Sequence, residues 1–93
     1  MPPNGSDTIT YKIYPNPTSH TITIEASGNY DAQQDNFEIT VYTIDGKLVD
    51  QISGIISKVN NDLRAKFAEL YRGVYVLDIL YKNQKTQLKI IKE

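Results

Sequence analysis

An antiparallel β-sandwich is the fold class this sequence predicts, and three observations predict it. Hydrophobic residues alternate with polar ones at a period of two over most of the chain. β-Branched and aromatic residues dominate those runs, as pleated, half-buried strands favour. Turn-like clusters separate the runs at intervals of roughly ten residues, the spacing of an all-β sandwich.

Each element follows from its own residues. A first strand is expected over 8–14. His20 to Ala26 alternates, with Ile22, Ile24 and Ala26 on one face and Thr21, Thr23 and Glu25 on the other. Phe37-Glu38-Ile39-Thr40-Val41 repeats the pattern, and Asp45-Gly46 behind it reads as a two-residue type I′ turn pairing 37–44 with 47–52. Further strands are expected over 54–59 and 63–68, the latter because Arg64 and Lys66 alternate with Leu63, Ala65 and Phe67. Helical spacing over Asn61–Tyr71 is the weaker fit, and Asn60-Asn61-Asp62 reads as a turn. Val74 to Tyr81 is nearly continuous in apolar residues, broken by Asp78, which suits a central strand packed on both faces. Asn83-Gln84 is expected to turn that strand (73–82) into a last one over 85–92, and Gly28–Asn36 reads as a polar loop. With 20–26 this makes about seven strands, 85–92 standing as an eighth candidate, in an immunoglobulin-like sandwich.

Composition bounds the function. Ninety-three residues, 40% hydrophobic and 23% charged, make one globular domain without room for a core and a deep cleft. A net charge of −1 supplies no long-range field for nucleic acid or anionic membrane. The charge is uneven: Glu25 to Asp50 carries six acids against Lys47, whereas Lys58 to Glu93 carries eight bases and four acids. Solvent-facing strand positions account for that pattern, and a basic face for an acidic partner is the sharper reading. Without cysteine there is neither a disulfide framework nor a thiolate metal site. No apolar run approaches the ~20 residues that span a bilayer. The polar, proline-rich start is no signal peptide, so an exported protein would contain this chain as a piece, with residues 1–7 as linker and 8–93 as the domain.

Catalytic chemistry finds few residues. The single histidine, His20, follows Ser19 directly, and neighbouring strand residues point to opposite faces. Histidine-based zinc sites need more ligands than one. Asp31, Asp35 and Asn36 offer hard oxygens to calcium at no EF-hand spacing. No glycine-rich phosphate loop occurs, and Asn4-Gly5-Ser6 is a short glycosylation pattern of low specificity. Seven tyrosines without tryptophan raise the question of a stacking platform. Tyr42 and Tyr81 sit beside core residues, Tyr75 suits a hydroxyl bonded back to the backbone, and Tyr11, Tyr14, Tyr30 and Tyr71 are candidates for exposure.

Tyr14-Pro15-Asn16-Pro17 is the most unusual local feature. Its prolines remove two backbone donors and fix φ twice, and each pushes the residue before it into extended conformation. The segment is a rigid corner between strands. From here the chain resembles the type A C-terminal sorting domains of type IX secretion cargo in Bacteroidetes. The resemblance rests on Tyr14-Pro15-Asn16-Pro17, Ile22-Thr23-Ile24, Val41 to Val49 with Asp45-Gly46-Lys47-Leu48, Leu70 to Leu77 with Gly73-Val74-Tyr75, and Leu88-Lys89-Ile90-Ile91-Lys92. It departs at His20, at Asn83-Gln84 and in a longer Gly28–Asn36 loop.

The resemblance implies an immunoglobulin-like signal domain behind an N-terminal cargo domain, with no catalysis and no cofactor. It implies export through the periplasm to the cell surface, recognition by the outer-membrane type IX translocon and its shuttle protein, and removal by a sortase-like peptidase. The residues it marks for recognition are Pro15, Asn16, Pro17, Gly46, Lys47, Gly73, Val74, Tyr75, Leu88, Lys89, Ile90, Ile91 and Lys92. A lysine-bearing last strand with an open edge suits β-augmentation, and its lysines oppose self-pairing. The alternatives are a carbohydrate-binding or adhesive module, which requires a row of exposed tyrosines on one sheet, and an inert spacer, which the late position of the last strand disfavours.

Overall fold

Alternation across the strands decides the layers. The computed structural model describes residues 9–16, 18 and 21–93; the linker expectation, Asn4-Gly5-Ser6, Pro17, Ser19 and His20 lie outside them. In chain order the elements are β1 (Thr10–Tyr14), β2 (Thr23–Ser27), β3 (Phe37–Thr43), β4 (Leu48–Gly54), α1 (Ile56–Glu69), β5 (Gly73–Tyr81) and β6 (Gln84–Lys92). The strands form two antiparallel sheets, a β1-β2 pair and a four-stranded sheet ordered β4-β3-β5-β6, so the chain is mostly β and sandwich-like.

The core lies between the sheets. It takes Ile24 from β2, Phe37, Ile39 and Val41 from β3, and Tyr75, Leu77, Ile79 and Tyr81 from β5. Each large apolar side chain buried this way contributes roughly 1.5–3 kcal/mol. Phe37 anchors one end: Tyr81 stacks on it at 4.7 Å, while Tyr11 and Tyr30 meet it edge-on at 6.2 and 5.4 Å. Such geometries add about 0.5–1.5 kcal/mol per pair beyond area.

The two strands expected over 54–59 and 63–68 are one helix, α1. Val59, Leu63 and Phe67 recur at i, i+4 and i+8 and are all buried, whereas Ala65, expected inward, is exposed. The 3.6-residue period therefore wins over the Arg64/Lys66 alternation, and Asn60-Asn61-Asp62 is helical rather than a turn. The start carries no side-chain cap and no acid in its first turn. Tertiary contact holds it instead: Asn60 Oδ1 accepts from the Ile24 amide at 2.8 Å, and its Nδ2 donates to the Ile24 carbonyl at 3.0 Å.

Both hairpins pair as expected, with shifted turns. In β3–β4, Thr43 pairs with Lys47 around a three-residue loop, Ile44-Asp45-Gly46, and the Gly46 amide bonds the Thr43 carbonyl at 3.0 Å. Gly46 alone in that loop has positive φ, +95°, which fits a type I turn closed by a bulge and not the two-residue I′ turn. In β5–β6, Tyr81 pairs with Gln84, so the turn is Lys82-Asn83, one residue earlier than expected, with Lys82 at φ 55°.

β5 is central, but the outer face of its sheet is not covered by a further layer of the described elements: Val74 and Val76 are half-buried and Leu80 is exposed. Asp78 stands on that face, accepting from Gln87 Nε2 at 2.8 Å, with Lys85 Nζ at 3.9 Å.

The Gly28–Asn36 loop folds on its own carboxylates. Asp31 Oδ1 accepts from the Gln33 amide, while Asp35 Oδ2 accepts from the Asp31 amide at 2.9 Å and the Tyr81 hydroxyl at 2.7 Å. The calcium reading finds its oxygens engaged here, and no metal-binding cluster forms among the described residues. The bond from Asp31 and that from Tyr81 hold the Asp35 carboxyl below its usual range, and Asp35 pushes the Tyr81 phenol up to about 12.

Two predictions follow from these contacts. Asn60→Ala removes both bonds to Ile24 and is expected to cost ~2 kcal/mol in urea unfolding, with the denaturant slope unchanged. Tyr81 favours its protonated form when folded, so its stabilisation is complete below the unfolded phenol's pKa near 10 and is lost as pH rises toward 12. Tyr81→Phe should flatten that part of the stability profile and remove the phenolate that forms near pH 12 from the absorbance at 295 nm.

Candidate functional site

The corner behind β1 is hydrogen-bonded to the end of the chain. The Tyr14–Pro15 peptide is cis, and Asn16 lies against the outer edge of β6. Its Nδ2 donates to the Lys89 carbonyl at 3.1 Å and its Oδ1 accepts from the Ile91 amide at 3.0 Å. The side-chain amide carries the donor and acceptor of a peptide group, so it replaces one residue of a missing strand. Thr18 continues the ladder: its amide donates to the Ile91 carbonyl at 2.8 Å and its carbonyl accepts from the Glu93 amide at 2.7 Å. Thr18 is buried, and its hydroxyl bonds the Thr21 carbonyl at 2.5 Å.

This overturns part of the open-edge expectation. The C-terminal half of β6 is closed by residues more than seventy positions earlier in the chain. Lys92 also departs from expectation. It is buried, and its side-chain nitrogen donates to the Phe67 carbonyl in the last turn of α1, where helix carbonyls lack intrahelical partners. Of the last strand, Ile90 is buried, Leu88 half-buried, and Lys89 and Ile91 exposed.

The other marked residues arrive at the same end of the sheet. Gly73, Val74 and Tyr75 pair with Lys92, Ile91 and Ile90. Gly73 has φ +156°. Tyr75 is buried edge-on against Phe67 at 5.8 Å, and its hydroxyl donates to the Tyr71 carbonyl at 2.7 Å, the backbone anchor expected from sequence. Tyr75 pairs on its other side with Thr43, the last residue of β3, which places the Gly46-Lys47 hairpin at this end too. There Thr43 Oγ1 donates to the Asp45 carboxylate and accepts from the Lys47 amide at 3.0 Å. The Thr43 hydroxyl holds the exposed Asp45 carboxyl below its usual range. A shallow depression of about 350 Å³ opens beside it on the outer face, lined by Tyr42, Ile44, Val76 and Gln87 among others.

Asn16, Gly46-Lys47, Gly73-Val74-Tyr75 and Leu88–Lys92 thus share one end of the four-stranded sheet, and Pro15 adjoins it. Sequence reasoning missed Thr18, Asn60 and the Phe67 carbonyl. Of these, Val59-Leu63-Phe67 carried a readable signal for the helix, whereas nothing local marked Thr18. The row of exposed tyrosines that a sugar platform requires does not form: the exposed pair are Tyr14, ending β1, and Tyr71, in the loop before β5.

These features define a β-sandwich module whose distinctive surface is a composite sheet end and not a catalytic cleft. A family model described as the secretion system C-terminal sorting domain matches residues 12–93. The chain belongs to that family, the C-terminal sorting domains of type IX secretion, which is not a family of enzymes. No curated protein matches the chain. Membership implies interaction with the type IX machinery, attachment to a larger cargo, and export to the cell surface or extracellular space. No helix among the described residues is long and apolar enough to cross a membrane.

Asn16→Ala should release the Lys89 carbonyl and the Ile91 amide to water. The expected loss is ~1 kcal/mol, with hydrogen exchange at the Ile91 amide accelerating at least tenfold while the Ile79 amide, deep in β5, changes only with global stability.

Proposed function

We propose that this domain directs a larger N-terminal cargo across the outer membrane, with residues 1–7 as linker and 8–93 as the signal. In this reading the composite sheet end is what the outer-membrane translocon and its shuttle protein bind. A sortase-like peptidase then removes the domain while the cargo is anchored at the surface.

The observation that supports it most is the convergence of four separated motifs on one sheet end. Family membership supplies the class of process. The convergence supports a signal that is read in the folded state, because Asn16 and Lys89 are neighbours only after folding. Asn16, with Pro15 before it, serves as the brace and Gly46-Lys47 as an exposed tip. Gly73, Val74 and Tyr75 form the floor, and Leu88 to Lys92 the strand that is presented. Lys47, Lys89 and Ile91 are the exposed contact groups, whereas Ile90 and Lys92 are buried supports.

The test fuses residues 1–93 to a fluorescent reporter bearing a signal peptide, in a host with type IX secretion. Deleting Leu88 to Glu93 would also remove the buried Ile90, so surface variants separate signalling from folding. Lys47→Glu with Lys89→Glu is expected to cut export at least tenfold while circular dichroism and thermal midpoint stay near wild type. A folded wild-type fusion retained in the periplasm, or undiminished export of the double variant, would overturn the proposal.

A further inference from the structure

Most sheet edges among the described residues carry a side-chain block. On β2, Asn60 occupies both backbone groups of Ile24. On β4, the Gln51 amide bonds the Asp50 carboxylate at 2.9 Å, and Lys58 Nζ donates to the Ser53 carbonyl at 3.2 Å. Just before β1, the Ile9 amide bonds Gln84 Oε1 at 3.3 Å. On β6, Asn16 and Thr18 take the groups from the Lys89 carbonyl to the Glu93 amide.

On β1 the outward backbone groups of Tyr11 and Ile13 also lack a partner among the described residues, and a second open stretch, the one with charge beside it, lies on β6. In an antiparallel ladder, alternate residues turn both backbone groups to the same side. Ile91 points both of its groups away from β5, toward Asn16 and Thr18; Lys85, Gln87 and Lys89 share that phase. The backbone groups of Lys85 and Gln87 and the Lys89 amide have no partner among the described residues. Paired strands lie about 4.8 Å apart, yet no Cα of β1 comes within 8 Å of one of β6. Among the described residues the flank of β6 therefore stands unpaired between two pins, Gln84–Ile9 at one end and Asn16 at the other.

The side chains along this stretch specify what suits it. Lys85, Gln87 and Lys89 are exposed on the outer face, while Thr86 and Leu88 are half-buried on the core side. Asp78 is the one acid on the neighbouring strand's outer face, and it already accepts from Gln87 Nε2. Lys82, exposed in the turn before β6, adds positive charge. A second copy of β6 laid antiparallel about Gln87 would set Lys85 against Lys89 twice, so self-pairing is disfavoured.

We propose that Lys85–Lys89 is a β-augmentation site for an extended acidic segment of a partner protein. About five residues fit between the pins, in the pattern acid, apolar, polar, apolar, acid. The acids stand opposite Lys85 and Lys89, and the apolar pair covers Thr86 and Leu88. The site shares Leu88 and Lys89 with the sheet end of the sorting reading, extends away from it to Lys85, and is tested without any secretion machinery.

The test titrates isotopically labelled chain with acetyl-Ser-Glu-Val-Thr-Val-Glu-Ser-amide, and with the same peptide carrying Lys for each Glu, followed by amide resonances and hydrogen exchange. Expected are shifts and protection at the Lys85, Gln87 and Lys89 amides, at least tenfold weaker binding of the lysine peptide, and reversal of that preference in Lys85→Glu with Lys89→Glu. Gln87→Pro removes an outward N–H that the fold does not use. It should abolish binding while the remaining β-strand resonances stay dispersed. Equal binding of both peptides, shifts confined to the outer-face depression near Tyr42, undiminished binding by Gln87→Pro, or a wild-type dimer protecting these amides would each overturn the proposal. Export lost in the fusion with peptide binding intact would leave this site standing and count against its use in sorting alone.

Discussion

Two asparagine side chains do what additional strands would do in a larger sandwich. An exposed sheet edge presents unpaired backbone groups that invite association, and a chain this short has few residues to spend on covering strands. Asn16 and Asn60 each present one donor and one acceptor, at 2.8–3.1 Å, to consecutive backbone groups of a strand. One brings the N-terminal corner onto the last strand, and the other brings the helix onto β2. They add direction to the apolar packing between these layers, which by itself sets proximity but not register.

That arrangement makes the sheet end a property of the whole chain. The corner reaches β6 across more than seventy residues, and Lys92 in turn reaches back to the last turn of α1. β5 receives β6 on one side and β3 on the other, so the β3–β4 hairpin is held in the same frame. A lesion in any of these elements is therefore felt at the shared end. Contacts so distant in sequence also make for slow assembly, since loop-closure entropy opposes them before packing rewards them.

Much of this was legible in the residues. Period two placed Phe37, Ile39 and Val41 inward, and Tyr75 was read as a backbone anchor; both follow from local pattern. The helix was not read, because Asn60-Asn61 are weak helix formers, no cap marks its start, and Arg64/Lys66 imitate a strand. Only the Val59-Leu63-Phe67 spacing spoke for it, and tertiary contact decided the matter. The turn shift has a similar origin. Asn83-Gln84 reads as the turn, yet positive φ falls on Lys82 at 55°, since β6 pairs from Gln84 onward and fixes the loop. The corner was recognised as rigid, but its partner was invisible, because no local rule links Asn16 to Lys89.

The distribution of blocking devices says something about the lysines. Where a side chain or the corner closes an edge, charge is not needed to keep other chains away. Lys92, on the closed half of β6, is accordingly free to turn inward and bond the helix. Lys85 and Lys89 flank the part of the edge that no described residue closes, and there positive charge is the remaining protection against self-pairing. Repulsion of this kind is selective: it excludes another copy of the same strand but favours a segment of opposite sign. The same two residues that disfavour self-pairing at this edge therefore define which kind of partner it admits.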